Sequence, residues 1–375
     1  MYNNRDRVIL LLLILTLVFA LFTIFISSES IPSVSARAAA LYEPETDSFL
    51  YLKNGNERLG MASTTKIMTA ELALELLDPA KSISVDKRAV GIEGSSIYLE
   101  PGEVLTAEDL VYAVLLQSAN DAAAALAYEI SGSIEEFASL MNEKALSLGL
   151  TNTNFTNPHG LDDKNHYTTA HDLAIISAYA LKNDKFKEIS STYKKEIKSS
   201  EKSRILANHN KMLKSYDGCI GVKTGYTKKC GRCLVSAADK DGLTMISVTI
   251  DAPNDWSDHK NLLDYGYSRL ESKTICCPGE FTYTLPVISG EGDKVTVSNE
   301  KLIKGVFPKG EAEIAAHVKL SRYVAAPICE GDILGEVIFT KDGEEIARAN
   351  LIAKNSIKES KKRKGFFSNF INSRT

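Results

Sequence analysis

The feature that most constrains this chain is a change of texture near Lys273. Before it, strand-like runs alternate with segments of helical period; beyond it no long helical period recurs, and short β-like runs are broken by Gly, Pro and Asp. In a chain of 375 residues that change predicts two domains. In the first, residues 38–42 and 49–53 flank Glu43-Pro44-Glu45-Thr46-Asp47 and read as a hairpin. Apolar residues at helical spacing (Ile67, Met68, Ala70, Leu72, Ala73, Leu76) predict a helix over 64–77, closed by Pro79. Thr106 with Asp109, Ser133 with Glu136 and Thr169 with Asp172 have the S/T-x-x-D/E arrangement that caps helix starts. Strand-like runs follow at 219–223, 233–238 and 243–250, then a helix over 257–270. This pattern predicts an α/β (α+β) domain with a mostly antiparallel five-stranded sheet and flanking helices. The runs at 280–287, 294–297, 312–320, 333–340 and 345–351 predict a small all-β, sandwich-like domain.

The two ends place the chain. Arg5 and Arg7 precede an unbroken apolar run from Val8 to Ile26, then polar and small residues up to Ala36, which reads as an export signal. The run is also about long enough to cross a bilayer, so cleavage near Ser35-Ala36-Arg37 and retention as an anchor both stand open. Either places the body of the chain outside the cytoplasm. The expected boundaries are 1–36 for the signal or anchor, 37–271 for the first domain, 272–352 for the β domain and 353–375 for a tail. The tail joins Lys361-Lys362-Arg363-Lys364 to an aromatic cluster, a composition that suits a membrane surface as well as a solvated end. With 44 basic and 48 acidic residues the net charge is −4, and no basic excess points to nucleic acid. A hydrophobic share of 44% is enough to bury a core without staples, so the six cysteines, including Cys230-Gly231-Arg232-Cys233, are read as free thiols. His159, His166 and His171 with Asp162 lack the H-E-x-x-H spacing, and neither a metal nor another cofactor is expected.

Chemistry concentrates in three short motifs. Ser63-Thr64-Thr65-Lys66 stands at the mouth of the first helix, where residues three apart share a face and a lysine kept neutral by burial can take the serine proton. Ser118-Ala119-Asn120 falls between two helical runs, where a hydroxyl can relay a proton and an amide can hold a substrate amide. Lys223-Thr224-Gly225, at the end of the 219–223 strand, offers an ammonium and a hydroxyl to a carboxylate, and a glycine against which a peptide can lie. Each alone is weak evidence; in this order they reinforce one another.

The set S-x-x-K, S-x-N and K-T-G resembles the signature of the penicillin-recognising serine enzymes. More narrowly, the chain resembles the low-molecular-mass penicillin-binding proteins that are serine-type D-alanyl-D-alanine carboxypeptidases (peptidase family S11). Residues 61–69, Asn157-Pro158-His159-Gly160-Leu161-Asp162 and Gly221-Val222-Lys223-Thr224-Gly225-Tyr226-Thr227 carry the likeness. The resemblance implies a transpeptidase-like, β-lactamase-like fold and a C-terminal β-rich domain. It implies Ser63 as nucleophile, Lys66 as its base, Ser118 in proton transfer to the departing D-alanine and Asn120 in orienting substrate. Lys223 and Thr224 would bind the terminal carboxylate, with Gly225 beside them, and the N–H groups of Ser63 and Tyr226 would form the oxyanion hole. Some relatives place an arginine in a segment like Asn208-His209-Asn210, whose middle residue here is histidine. The implied partners are peptidoglycan stem peptides ending in D-Ala-D-Ala, β-lactams as covalent inhibitors, and the outer face of the cytoplasmic membrane. The alternatives are a β-lactamase or a D,D-endopeptidase; no Glu-x-x-x-Asn element of the class A β-lactamases lies between Ser118 and Lys223.

Overall fold

The computed structural model describes residues 31–199, 202–310 and 313–360. The apolar run at 8–26 and the basic and aromatic tail at 361–371 lie outside them. Among the described residues no helix is long and apolar enough to cross a membrane.

The chain divides into two units. Of the described residues, the first comprises 31–42, 49–238 and 245–266, and the second comprises 43–48, 239–244 and 267–360. In the first, β1 (Ala38–Glu43) is buried at every position. A strand covered on both faces has no alternation to show, and three successive alanines suit that close packing. With β2 (Ser48–Lys53), β3 (Cys219–Thr227), β4 (Gly231–Lys240) and β5 (Leu243–Ile250) it forms one sheet in the order β2-β1-β5-β4-β3. β1 runs antiparallel to β5, from Ala38 opposite Ile250 to Tyr42 opposite Ile246. β3 runs antiparallel to β4 and forms an edge of the sheet. It continues four residues beyond the expected end at Lys223, since Thr224 to Thr227 pair with Leu234 to Gly231. Lys223-Thr224-Gly225 therefore sits inside a strand, not at its end.

The longer helices among the described residues are α1 (Lys66–Leu76), α2 (Ala107–Leu116), α3 (Asn120–Ser131), α4 (Ile134–Ser147), α5 (Ala170–Leu181), α6 (Asp184–Ser191) and α7 (Asp255–Arg269). The three expected caps form: the hydroxyls of Thr106, Ser133 and Thr169 accept from the N–H groups of Asp109, Glu136 and Asp172 at 3.1, 3.1 and 3.0 Å. Every residue from Leu110 to Leu116 is buried, and the alanines of α3 let it lie close against α2. The junction of these two buried helices carries Ser118 and Asn120. α7 holds the start of the domain, because its Asp258 carboxylate accepts from the N–H and the hydroxyl of Ser35 and from the N–H of Ala36.

The second unit is β-rich, as expected. Thr282–Ile288, Lys294–Ser298, Ala315–Leu320, Val324–Ala325, Ile333–Lys341 and Glu344–Ala353 form a six-stranded sheet, and Leu270–Cys276 pairs antiparallel with Ile303–Pro308. Leu285, Val295, Val297, Val337, Phe339 and Leu351 fill its core.

Candidate active site

The residue before Ser63 sets its direction. Ala62 is held at φ +47°, a left-handed conformation costing a non-glycine residue about 1–2 kcal/mol, and opens a 3₁₀ turn over Ala62–Thr65. Ser63 thus stands on this turn and Lys66 begins the α-helix, where a single helix was expected. With three residues per turn a 3₁₀ helix eclipses side chains three apart, and Lys66 Nζ lies 3.0 Å from Ser63 Oγ.

Lys66 is fully buried, and its nitrogen has two further neighbours: Asn120 Oδ1 at 2.7 Å and the His159 carbonyl oxygen at 2.5 Å. Both can only accept. A neutral amine has two N–H groups for these two oxygens and one lone pair left for the Ser63 hydroxyl. Burial, then the neighbouring Lys223 charge, drive the Lys66 pKa well below that of an ordinary lysine, with Asp121 opposing. In its neutral form Lys66 can therefore take a proton from the Ser63 hydroxyl.

The rest of the site is bolted to this pair through backbone. Asn157 Oδ1 accepts from the His159 and Gly160 N–H groups at 3.3 and 2.7 Å, folding the loop that aims the His159 carbonyl at Lys66. Thr69 Oγ1 donates to the Pro158 carbonyl at 2.6 Å, tying the same loop to α1. Gly160 has φ +86°, and a Cβ there would lie 1.9 Å from the Ala62 carbonyl oxygen. Backbone cannot yield that distance, so Gly160→Ala is expected to destabilise the domain by about 2–5 kcal/mol. Denaturant melts check this; an unchanged melt would contradict the close approach.

Asn120 is the first residue of α3. Its Nδ2 donates to the Glu93 carbonyl at 2.5 Å and its backbone N–H to that of Ser95 at 2.7 Å, while Asp121 accepts from Ser96 Oγ and from the Leu99 N–H. The Asn120 amide is thus engaged at both ends, its oxygen on Lys66. Ser118 is buried and left-handed, at φ +60°. Lys223 is buried too; its Nζ donates to the Thr224 carbonyl at 2.9 Å, and burial lowers its pKa to about 7. Among the described residues no hydrogen bond joins the Ser118 or Thr224 side chain to the Ser63–Lys66 pair. A Cβ on Gly225 would lie 3.0 Å from the Ser63 nitrogen and 3.1 Å from that of Thr64, so a side chain there would crowd the turn that carries Ser63. The Tyr226 side chain is exposed.

His171 lies 3.1 Å from Asp172 and stacks on Phe49; His166 contacts Thr65 and Thr156. Burial and the Lys223 charge lower the pKa of His209. The six cysteines are unpaired. Sequence reading missed Asp121, Thr65 and Thr69, whose roles run through backbone carbonyls and N–H groups and leave no spacing to detect.

Comparison with known proteins agrees with this geometry. Residues 26–254 match the family model of D-alanyl-D-alanine carboxypeptidase (peptidase S11), and residues 270–359 match that of the penicillin-binding protein 5 C-terminal domain. The chain is 36% identical to the D-alanyl-D-alanine carboxypeptidase DacF of Bacillus subtilis, over 86% of each. It is 32% identical to DacC of Escherichia coli, over 92% of this chain and 89% of that protein. Among solved structures, penicillin binding protein 5 of Haemophilus influenzae superposes with a TM-score of 0.64 at 30% identity, over 88% of this chain and 99% of that one. A Streptomyces K15 DD-transpeptidase mutant gives 0.60 at 30% identity, over 63% and 99%. With Ser63 and Lys66 paired in a fold of this kind, the chain belongs to the peptidase S11 family of D-alanyl-D-alanine carboxypeptidases.

Proposed function

We propose that this chain removes the C-terminal D-alanine of peptidoglycan stem peptides through an acyl-enzyme on Ser63. The observation that carries this reading is the placement of Lys66 Nζ, 3.0 Å from Ser63 Oγ with two carbonyl oxygens on the same buried nitrogen: as a neutral amine it spends its two N–H groups on those oxygens and keeps its lone pair for the Ser63 hydroxyl. Ser63 Oγ attacks the carbonyl carbon of the penultimate D-alanine as its proton passes to Lys66 Nζ. The N–H groups of Ser63 and Tyr226 receive the oxyanion, the amide C–N bond breaks, and Ser118 gives its proton to the departing amine and regains one from the Lys66 ammonium, which leaves Lys66 neutral again for the hydrolytic step. Water then hydrolyses the ester and frees Ser63. A β-lactam enters the same first step, but its leaving nitrogen stays tethered by the ring. β3 is an edge strand, so an extended peptide can lie along it with its terminal carboxylate toward Lys223 and Thr224. Family S11 acts on D-Ala-D-Ala peptides and binds β-lactams, and a β-lactamase is not favoured. An extracytoplasmic site of action fits these relatives; attachment to the membrane surface is part of the proposal and rests on the sequence of the two ends.

Lys223 has two jobs in this reading, and its replacement separates them. Loss of a charge-assisted contact to the carboxylate is expected to lower kcat/KM for D-Ala-D-Ala peptides in Lys223→Ala by about 10–100-fold. The Lys223 charge also depresses the Lys66 pKa, so removing it raises that pKa and leaves less free base in acid. The acid limb of penicillin acylation should therefore move to higher pH. A limb that stayed in place would show that the two lysines do not communicate.

A further inference from the structure

A second chain of hydrogen bonds reaches the nucleophile from behind, through a histidine the reaction does not use. The Thr156 N–H donates to His166 Nδ1 at 3.0 Å, so that nitrogen carries no proton. The proton of the neutral ring is then on Nε2, which lies 2.7 Å from Thr65 Oγ1. The Thr65 hydroxyl donates onward to the Ala62 carbonyl at 2.8 Å. Every donor in the series points the same way, and the series ends on the residue whose φ of +47° turns the chain into Ser63. His166 is buried and its ring is fixed edge-on to Phe155 at 5.9 Å.

We propose that His166 is a positioning residue: its Nε2–H holds Thr65 Oγ1 on the Ala62 carbonyl and so fixes the left-handed turn that presents Ser63 to Lys66. This rests on the acyl-enzyme reading above. Neutrality of the ring is part of the device, because a protonated Nδ1 would point a second donor at the Thr156 N–H. Asp162 and Asp163 favour the proton, while burial, Lys66 and the nearby His159 oppose it, and the balance lowers the pKa to about 4. An ill-placed nucleophile costs rate and not binding, since misplacement of about 1 Å is worth about 100-fold.

The test is the rate of Ser63 acylation by benzylpenicillin in the full chain, with the binding step resolved from the chemical step. Thr65→Val and His166→Leu should slow the chemical step about 10–100-fold with binding and far-UV circular dichroism unchanged. Thr65→Ser and His166→Gln, which keep a hydroxyl and an N–H donor, should retain most of the rate. His166→Gln should also lose the component of the acid limb that His166 contributes. If His166→Leu fails to fold, Thr65→Val decides alone. Folded Thr65→Val that acylates at the wild-type rate would overturn the proposal, while a wild-type chain that formed no Ser63 adduct would instead overturn the acyl-enzyme reading.

Discussion

Ser63→Ala is expected to abolish both the covalent penicillin adduct and D-alanine release, the latter by at least about a thousandfold, while leaving the fold intact. The side chain is only half-buried and bonds chiefly to Lys66, so removing its oxygen opens no cavity and strands no buried donor in the core. Intact mass after incubation with benzylpenicillin reads the adduct, and peptide mapping of the wild type should place it on Ser63. A Ser63→Ala protein that still gained the mass of the drug would mean that another nucleophile reacts.

Replacement of Lys66 should be nearly as damaging by a different route. Lys66→Met keeps most of the side chain's length and removes the base, so acylation is expected to fall by about 10²–10⁴-fold with penicillin binding retained. Stability should also change with pH through Lys66. The pKa of Lys66 is well below 10.5 when folded, so below that ordinary value the unfolded chain binds the extra proton and folding is penalised; the penalty fades as pH rises toward 10.5. Wild type should therefore gain more stability than Lys66→Met between pH 7 and 9, a difference that paired denaturant melts would measure. Equal gains would mean that Lys66 is charged in the folded protein, and the base assignment would fail.

Where a signal is local, the sequence was a sound guide. β5 was expected at 243–250 and spans Leu243–Ile250, because its apolar run is bounded by Gly242 and Asp251. The three S/T-x-x-D/E caps form because a cap involves residues three apart and little else. The Ser63–Lys66 pairing was legible for the same reason. Three elements needed information from across the chain. α6 escaped because eight residues with two apolar anchors, Phe186 and Ile189, make too short a period. The ribbon of Lys194–Lys198 with Ser203–Ala207 buries only Ile197 and Leu206, so no apolar alternation marks either strand. Gly305 and Pro308 interrupt Ile303–Pro308, so its alternation is not visible. Within the site, the His159 carbonyl and the path from His166 to Ala62 depend on loop backbone that no side-chain pattern encodes.

The most direct test of the central claim is release of D-alanine from an N-acylated peptide ending in D-Ala-D-Ala, run beside the same peptide with its C-terminus amidated. An enzyme that acylates Ser63 and reads the carboxylate through Lys223 should release one D-alanine per free-acid peptide and leave the amide almost untouched. No release by folded protein, or equal cleavage of both peptides, would contradict the carboxypeptidase assignment.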